Sequence, residues 1–122
     1  MSKFVIRTVN SGIKFDLYAP NGQSILTSEV YTTMAACRKG IASIQKNAPI
    51  AKLEILLEEN RKAVTNPKFE LYQDRAGLYR FRLKARNGEI IAASDSYIAK
   101  AGCLNGIDSV RKNAQEAEII IV

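Results

Sequence analysis

The stretch Phe81-Arg82-Leu83-Lys84-Ala85-Arg86-Asn87-Gly88-Glu89-Ile90-Ile91-Ala92 decides the fold. In an extended chain, successive side chains point to opposite faces, so Phe81, Leu83 and Ala85 share one side. Arg82, Lys84 and Arg86, with Arg80 just before them, share the other. This is a strand with one buried and one wet face. It ends at Asn87-Gly88, a strong hairpin signal because both residues tolerate positive φ, and the chain returns through Ile90–Ser94. The pattern has already occurred 66 residues earlier, as Phe15-Asp16-Leu17-Tyr18-Ala19-Pro20-Asn21-Gly22-Gln23-Ser24-Ile25-Leu26. The echo continues: Phe15–Leu56 aligns without a gap on Phe81–Val122, with 18 of 42 positions identical. One small unit is therefore present twice, and a pseudo-two-fold axis is expected between the copies.

Working outward, each copy is preceded by a short apolar run, Phe4–Arg7 or Phe69–Tyr72, and a turn at Asn10-Ser11-Gly12 or Asp74–Gly77. Each third strand is followed by helical spacing of apolar residues: Cys37, Ile41, Ile44 and Ala48, then Cys103, Ile107, Val110 and Ala114. Helices are predicted over roughly 33–47 and 99–113, with Thr32 as the first N-cap and Ser96 serving the second, where Ile98 cannot cap. Gly40 and Gly106 sit inside these helices at a cost of about 1 kcal/mol each relative to alanine, which suggests close approach of two backbones. A last apolar run, Ala51–Leu57 or Ala117–Val122, closes each unit. The polar segment 58–67 reads as a linker. The chain is thus an α+β protein of one domain over 1–122: repeat 1 at about 4–57, repeat 2 at about 68–122. Each repeat is β-β-β-α-β, with both helices on one face of the sheet.

Composition excludes several chemistries. The 122 residues are 47% hydrophobic and 25% charged, ordinary for a globular protein. No apolar run is long enough to span a membrane and no secretory leader pattern is present, so a cytoplasmic setting is expected. Histidine is absent and there are two cysteines, so ordinary structural zinc sites and histidine acid–base catalysis have no residues to use. Cys37 and Cys103 fall on the apolar stripes and read as core positions with raised thiol pKa. Tyr97 and Lys100, with Ser94 nearby, resemble a tyrosine–lysine acid–base pair. Their spacing is one residue short of the dehydrogenase motif, its glycine-rich turn is missing, and repeat 1 has Met34 in place of the lysine. Tyr31 and Tyr97 are instead expected to pack at the strand-to-helix junctions with their hydroxyls hydrogen-bonded. No cofactor site is expected.

The net charge of +6 leaves one sharp candidate, the basic row Arg80, Arg82, Lys84 and Arg86. Its members would repeat every 6.6–6.8 Å or so along one face, near the phosphate spacing of a nucleic-acid strand, with Tyr72 and Tyr18 available to stack bases. Against this, cross-strand acids such as Glu70 and Glu89 can neutralise the row, and repeat 1 breaks it with Asp16, Tyr18 and Pro20.

The segments Tyr79–Ala92, Ser94–Ala101 and Asn105–Ala114 resemble the YegP-like family of small, mostly bacterial proteins built from one or two such repeats. The resemblance covers essentially the whole chain and is closer in the second repeat. It implies one antiparallel sheet in which the C-terminal strands are exchanged between units. A chain carrying both units is expected to be a monomer. The family supplies no agreed activity and no catalytic or cofactor residues. The resulting expectation is a non-catalytic binding or interaction module, with weak, sequence-tolerant nucleic-acid binding through Arg80, Arg82, Lys84, Arg86 and Tyr72 as the alternative. A homodimer through Leu56, Ile120 and Val122 is a further possibility.

Overall fold

Among the described residues, alternation of buried and solvated positions produces eight strands, and the two long amphipathic stretches produce two helices. In the computed structural model, which describes residues 1–59 and 61–122, the elements are β1 (Lys3–Val9), β2 (Gly12–Tyr18), β3 (Ser24–Ser28), α1 (Met34–Asn47) and β4 (Lys52–Ile55). The second repeat gives β5 (Lys68–Gln73), β6 (Tyr79–Lys84), β7 (Ile90–Ala93), α2 (Lys100–Asn113) and β8 (Glu118–Ile121). Asn60, in the expected linker, lies outside the described residues.

The strands form one sheet in the order β4-β5-β6-β7-β3-β2-β1-β8. At its middle, Thr27 on β3 faces Ala93 on β7. These are equivalent positions of the two repeats, so the pseudo-two-fold axis passes between them. The exchange is present: β4 of repeat 1 pairs with β5 of repeat 2, and β8 of repeat 2 pairs with β1 of repeat 1. The expectation of an antiparallel sheet needs correction at these two edges, where the exchanged strands run parallel to their neighbours. A parallel neighbour needs a connection of a dozen or so residues. Residues 56–67, between β4 and β5, are a connection of that length.

Both helices cover the face carrying the buried residues Phe4, Phe15, Leu17, Phe69, Phe81 and Leu83. In each repeat the aromatic rings form a short ladder. Phe4 meets Phe15 edge-on at 5.6 Å, and Phe15 stacks on Tyr31 at 6.2 Å. Phe69, Phe81 and Tyr97 repeat the arrangement at 6.0 and 6.3 Å. The ladder ends on a helix glycine. A Cβ at Gly40 would overlap the Tyr31 hydroxyl and lie 3.1 Å from Phe15, and a Cβ at Gly106 would overlap Tyr97 and lie 2.9 Å from Phe81. The repeated glycine therefore makes room for a tyrosine ring, not for a second backbone.

Capping differs from expectation for a simple reason. Thr33, not Thr32, takes the N-cap of α1, its hydroxyl accepting from the Ala36 N–H at 3.1 Å. The equivalent residue in repeat 2 is Ala99, which has no oxygen to offer, and α2 begins without a side-chain cap; Ser96 does not supply one. Ser28 and Ser94 are structural: each accepts the N–H of Phe15 or Phe81 at 2.9 Å and donates to the next residue's carbonyl. The C-terminal turns of the helices meet. Gln45 donates to the Ala114 carbonyl at 3.1 Å, and Gln115 donates to the Gln45 carbonyl. Arg111 of α2 donates to the Ala51 carbonyl at 2.8 Å, just before β4 at the sheet's far edge. Cys37 and Cys103 are buried free thiols, and burial pushes Cys103 up to about 11.

Candidate functional site

Strand alternation aims Arg80, Arg82 and Lys84 outward on β6, as predicted, and the register sets β5 beside them. Glu70 stands directly opposite Arg82. This buried carboxylate accepts from Arg82 at 2.7 Å and lies 3.3 Å from both Lys84 and Lys68. Lys68 reaches on to Glu54 at 2.5 Å, and Glu54 also holds Arg61 at 3.1 Å. Arg80 is taken by Asp74 at 2.9 Å. The Arg82 guanidinium lies 4.7 Å above the Tyr72 ring, occupying the ring face that a base would need. Burial opposes ionisation of Glu70, but the hydrogen bonds from Arg82 and Lys84 outweigh it and hold the carboxyl below its ordinary range. Glu54 is held low chiefly by Lys68, and Asp74 chiefly by Arg80. Three members of the row are thus already partnered.

The polarity of this cluster is reversed in repeat 1. There the position of Arg82 is held by Asp16, which pairs with Arg7 at 2.6 Å and accepts from Thr27 at 2.7 Å. The outer face therefore carries no charge pattern common to the two units.

Arg86 does not belong to the row. β6 ends at Lys84 with a register shift after Leu83, and Arg86 lies in the turn that follows. That turn is closed by Gly88, whose φ of 84° is open to glycine. The turn carries Arg86 to the α1 side. With Lys39 and Lys46 of α1, Arg86 lines a pocket of about 430 Å³, which also contains Ser43, Asn47 and Asn87. Among the described residues, none of these three cations has a carboxylate within ion-pair distance, and no carboxylate lines this pocket.

The pocket adjoins a groove of about 320 Å³ that shares Lys39, Ser43, Ala85 and Asn87 and contains Tyr31, Glu29 and Glu89. A second groove, of about 220 Å³, lies at the pseudo-symmetric place between α2 and the repeat 1 hairpin. Six lining residues are the same type in both: Tyr31, Gly40, Ser43, Ala85, Asn87 and Ile91 match Tyr97, Gly106, Ser109, Ala19, Asn21 and Ile25. Each groove combines the helix of one repeat with the hairpin of the other. Their charge differs, because Lys39 becomes Asn105, Glu89 becomes Gln23 and Arg86 becomes Pro20. The basic pocket thus belongs to one side of the pseudo-dimer.

Among the described residues, neither Tyr31 nor Tyr97 hydroxyl makes a protein hydrogen bond, contrary to expectation; both are partly exposed in the grooves, where water can reach them. Burial raises both phenol pKa values, away from what a catalytic base needs. Lys39 and Lys46 were missed by sequence reading. They lie seven residues apart on one helix face, which is legible, but their partner Arg86 comes from the other repeat. No group of three or more potential metal ligands is found among the described residues.

Residues 10–54 and 74–120 each match the family model described as "Domain of unknown function (DUF1508)". A UPF0339 protein of Photorhabdus laumondii is 38% identical over 113 residues, covering 93% of this chain and 86% of that relative. A UPF0339 protein of Treponema denticola is 58% identical over 55 residues, which is 45% of this chain but 95% of that relative, so its length is that of one repeat. The solution NMR structure of a UPF0339 protein from Shewanella oneidensis matches with a TM-score of 0.79 at 32% identity, covering 98% of this chain and 90% of its own. That of yegP from E. coli, a protein of unknown function, matches with a TM-score of 0.79 at 31% identity, covering 98% of this chain and 91% of its own. These matches bear out the YegP-like resemblance and the tandem organisation.

Proposed function

We propose that this chain, which belongs to the DUF1508 family, is a non-catalytic binding module that takes a phosphate-bearing ligand between α1 and the β6–β7 turn. One observation carries this reading: Lys39, Lys46 and Arg86 converge on one concave site that no carboxylate enters. Like charges gathered on one site repel one another, and a bound anion relieves that repulsion. The pocket falls in the size range of ligand sites, and the Ser43 hydroxyl, which accepts from the Asn47 amide, and the Asn87 amide can donate to phosphate oxygens. The non-catalytic reading rests on the chemistry of the nucleophiles: burial raises both thiols and both groove phenols. The buried, free thiols suit a reducing cytoplasm, and no helix among the described residues is long and apolar enough to cross a membrane.

Labelled single-stranded RNA and DNA, followed by fluorescence anisotropy at low and moderate salt, test the proposal, with inorganic phosphate and a mononucleotide as competitors. Binding that weakens with salt and is lost in Lys39→Gln and Arg86→Gln supports it. Effective competition by the mononucleotide points to a small phosphorylated ligand, and weak competition to a nucleic-acid backbone. No binding of oligonucleotide, phosphate or mononucleotide at low salt overturns the proposal.

A second reading places nucleic acid on the outer sheet face, at Arg80, Arg82, Lys84 and Tyr72. The favouring observation is that five cations of the network face three carboxylates there, leaving a positive excess. In that case Arg80→Gln and Arg82→Gln, and not Arg86→Gln, abolish binding.

A further inference from the structure

The two exchanged strands are equivalent by pseudo-symmetry, yet their free edges are not protected alike. An edge strand presents a row of unpaired backbone groups, and proteins commonly guard it with charge. On β4 the guard is present. Lys52 is exposed, and Glu54 at the strand's middle is held by Arg61, which also donates to the Glu58 carbonyl. On β8 the equivalent of Glu54 is Ile120, and the run Glu118-Ile119-Ile120-Ile121-Val122 has one charge. Ile119, Ile121 and Val122 are 38%, 53% and 76% exposed. On the outer face the apolar surface continues from Ile120 to its register partner Val5, which lines a hollow with Met1 and Tyr18.

The hydrogen bonding of β8 defines what can be added to it. Glu118 and Val122 donate their N–H groups to the carbonyls of Ser2 and Ile6. Alternation then aims the N–H and C=O of Ile119 and Ile121 away from β1 and into solvent. We propose that β8 pairs with β8 of a second copy of this chain, antiparallel, about a two-fold axis at Ile120. In that register Ile119 and Ile121 of each copy exchange four backbone hydrogen bonds with their counterparts, joining the two sheets into one. Ile120 meets Ile120 across the axis, Glu118 stands opposite the apolar side chain of Val122, and no like-charged side chains oppose each other. The same operation on β4 sets Glu54 against Glu54, which is destabilising. The self-complementary strand is therefore β8 alone.

A short edge contact is small beside the roughly 1,200 Å² of a specific stable interface, so the dimer is weak, with a dissociation constant on the order of 0.1–1 mM. Sedimentation equilibrium across that concentration range tests it. Wild type shows reversible monomer–dimer behaviour. Ile119→Pro removes one outward N–H while sparing the β1 ladder, a position where an edge strand accepts proline. Ile120→Glu sets carboxylates against each other. Each variant, with its fold verified by NMR, weakens the dimer at least tenfold, and Leu53→Pro on the β4 edge leaves it unchanged. A wild type that stays monomeric throughout, or a dimer indifferent to both β8 variants, overturns the proposal.

Discussion

The hydroxyl of Tyr31 occupies the space where Gly40 would carry a Cβ, and Tyr97 does the same at Gly106. Helix and sheet therefore meet through a side chain seated on a bare backbone, at the same place in both repeats. Gly40→Ala gains about 1 kcal/mol of helix propensity but forces the methyl into the Tyr31 ring. We expect a net loss of about 1–3 kcal/mol, as for other overpacked cores. Tyr31→Phe alone is close to neutral, and in the Gly40→Ala background it restores part of the loss. Urea unfolding of the four proteins checks this; purely additive effects would show that the two residues are not in contact.

Glu70 sits at the centre of the outer network, contacting Arg82, Lys84 and Lys68. Glu70→Ala leaves three partly buried cations without their shared partner, and a loss of about 1–3 kcal/mol is expected. The same change frees positive charge on the face opposite the helices. If the row is inactive because it is neutralised, Glu70→Ala gains salt-sensitive oligonucleotide binding that wild type lacks there, and a further Arg82→Gln change removes it.

Glu70, Glu54 and Asp74 are all held below their ordinary carboxyl range in the folded protein. Groups of this kind contribute stability that is complete above their unfolded pKa values and is lost as pH falls through the folded ones. Stability is therefore expected to be nearly flat from about pH 7 to 5 and to decline below about pH 4.5. The decline is shallower in Glu70→Gln. Denaturant midpoints at a series of pH values provide the measurement.

Cys37 and Cys103 are fully buried, and the Cys103 thiol is pushed up to about 11. At pH 8 both should react with a thiol reagent only as fast as the chain opens. Addition of denaturant should then release two thiols per chain. Rapid labelling of the native protein would contradict the packing.

Much of the fold is legible in the residues. Phe81, Leu83 and Ala85 alternate against a polar face, Asn-Gly marks each hairpin, and the 66-residue echo supplies the pseudo-symmetry. The parallel edges were not legible, because they depend on which strand each exchanged segment joins. The purpose of Gly40 was half legible: the sequence signals a close approach, but the ring that makes it comes from nine residues earlier. The basic row was legible on β6 as far as Lys84. Its neutralisation by Glu70 was anticipated, whereas Glu89 lies in the turn and has no ion pair among the described residues. Arg86 left the row because the strand ends two residues before it. Its convergence with Lys39 and Lys46 joins a hairpin of one repeat to a helix of the other, and local periodicity carries no such information.

The most direct test of the anion site is a two-dimensional ¹H–¹⁵N NMR titration with inorganic phosphate and with a short single-stranded oligonucleotide. Saturable shifts confined to Lys39–Asn47 and Ala85–Gly88 are the predicted result. Shifts centred on Tyr79–Lys84, or none at any concentration, would contradict the account.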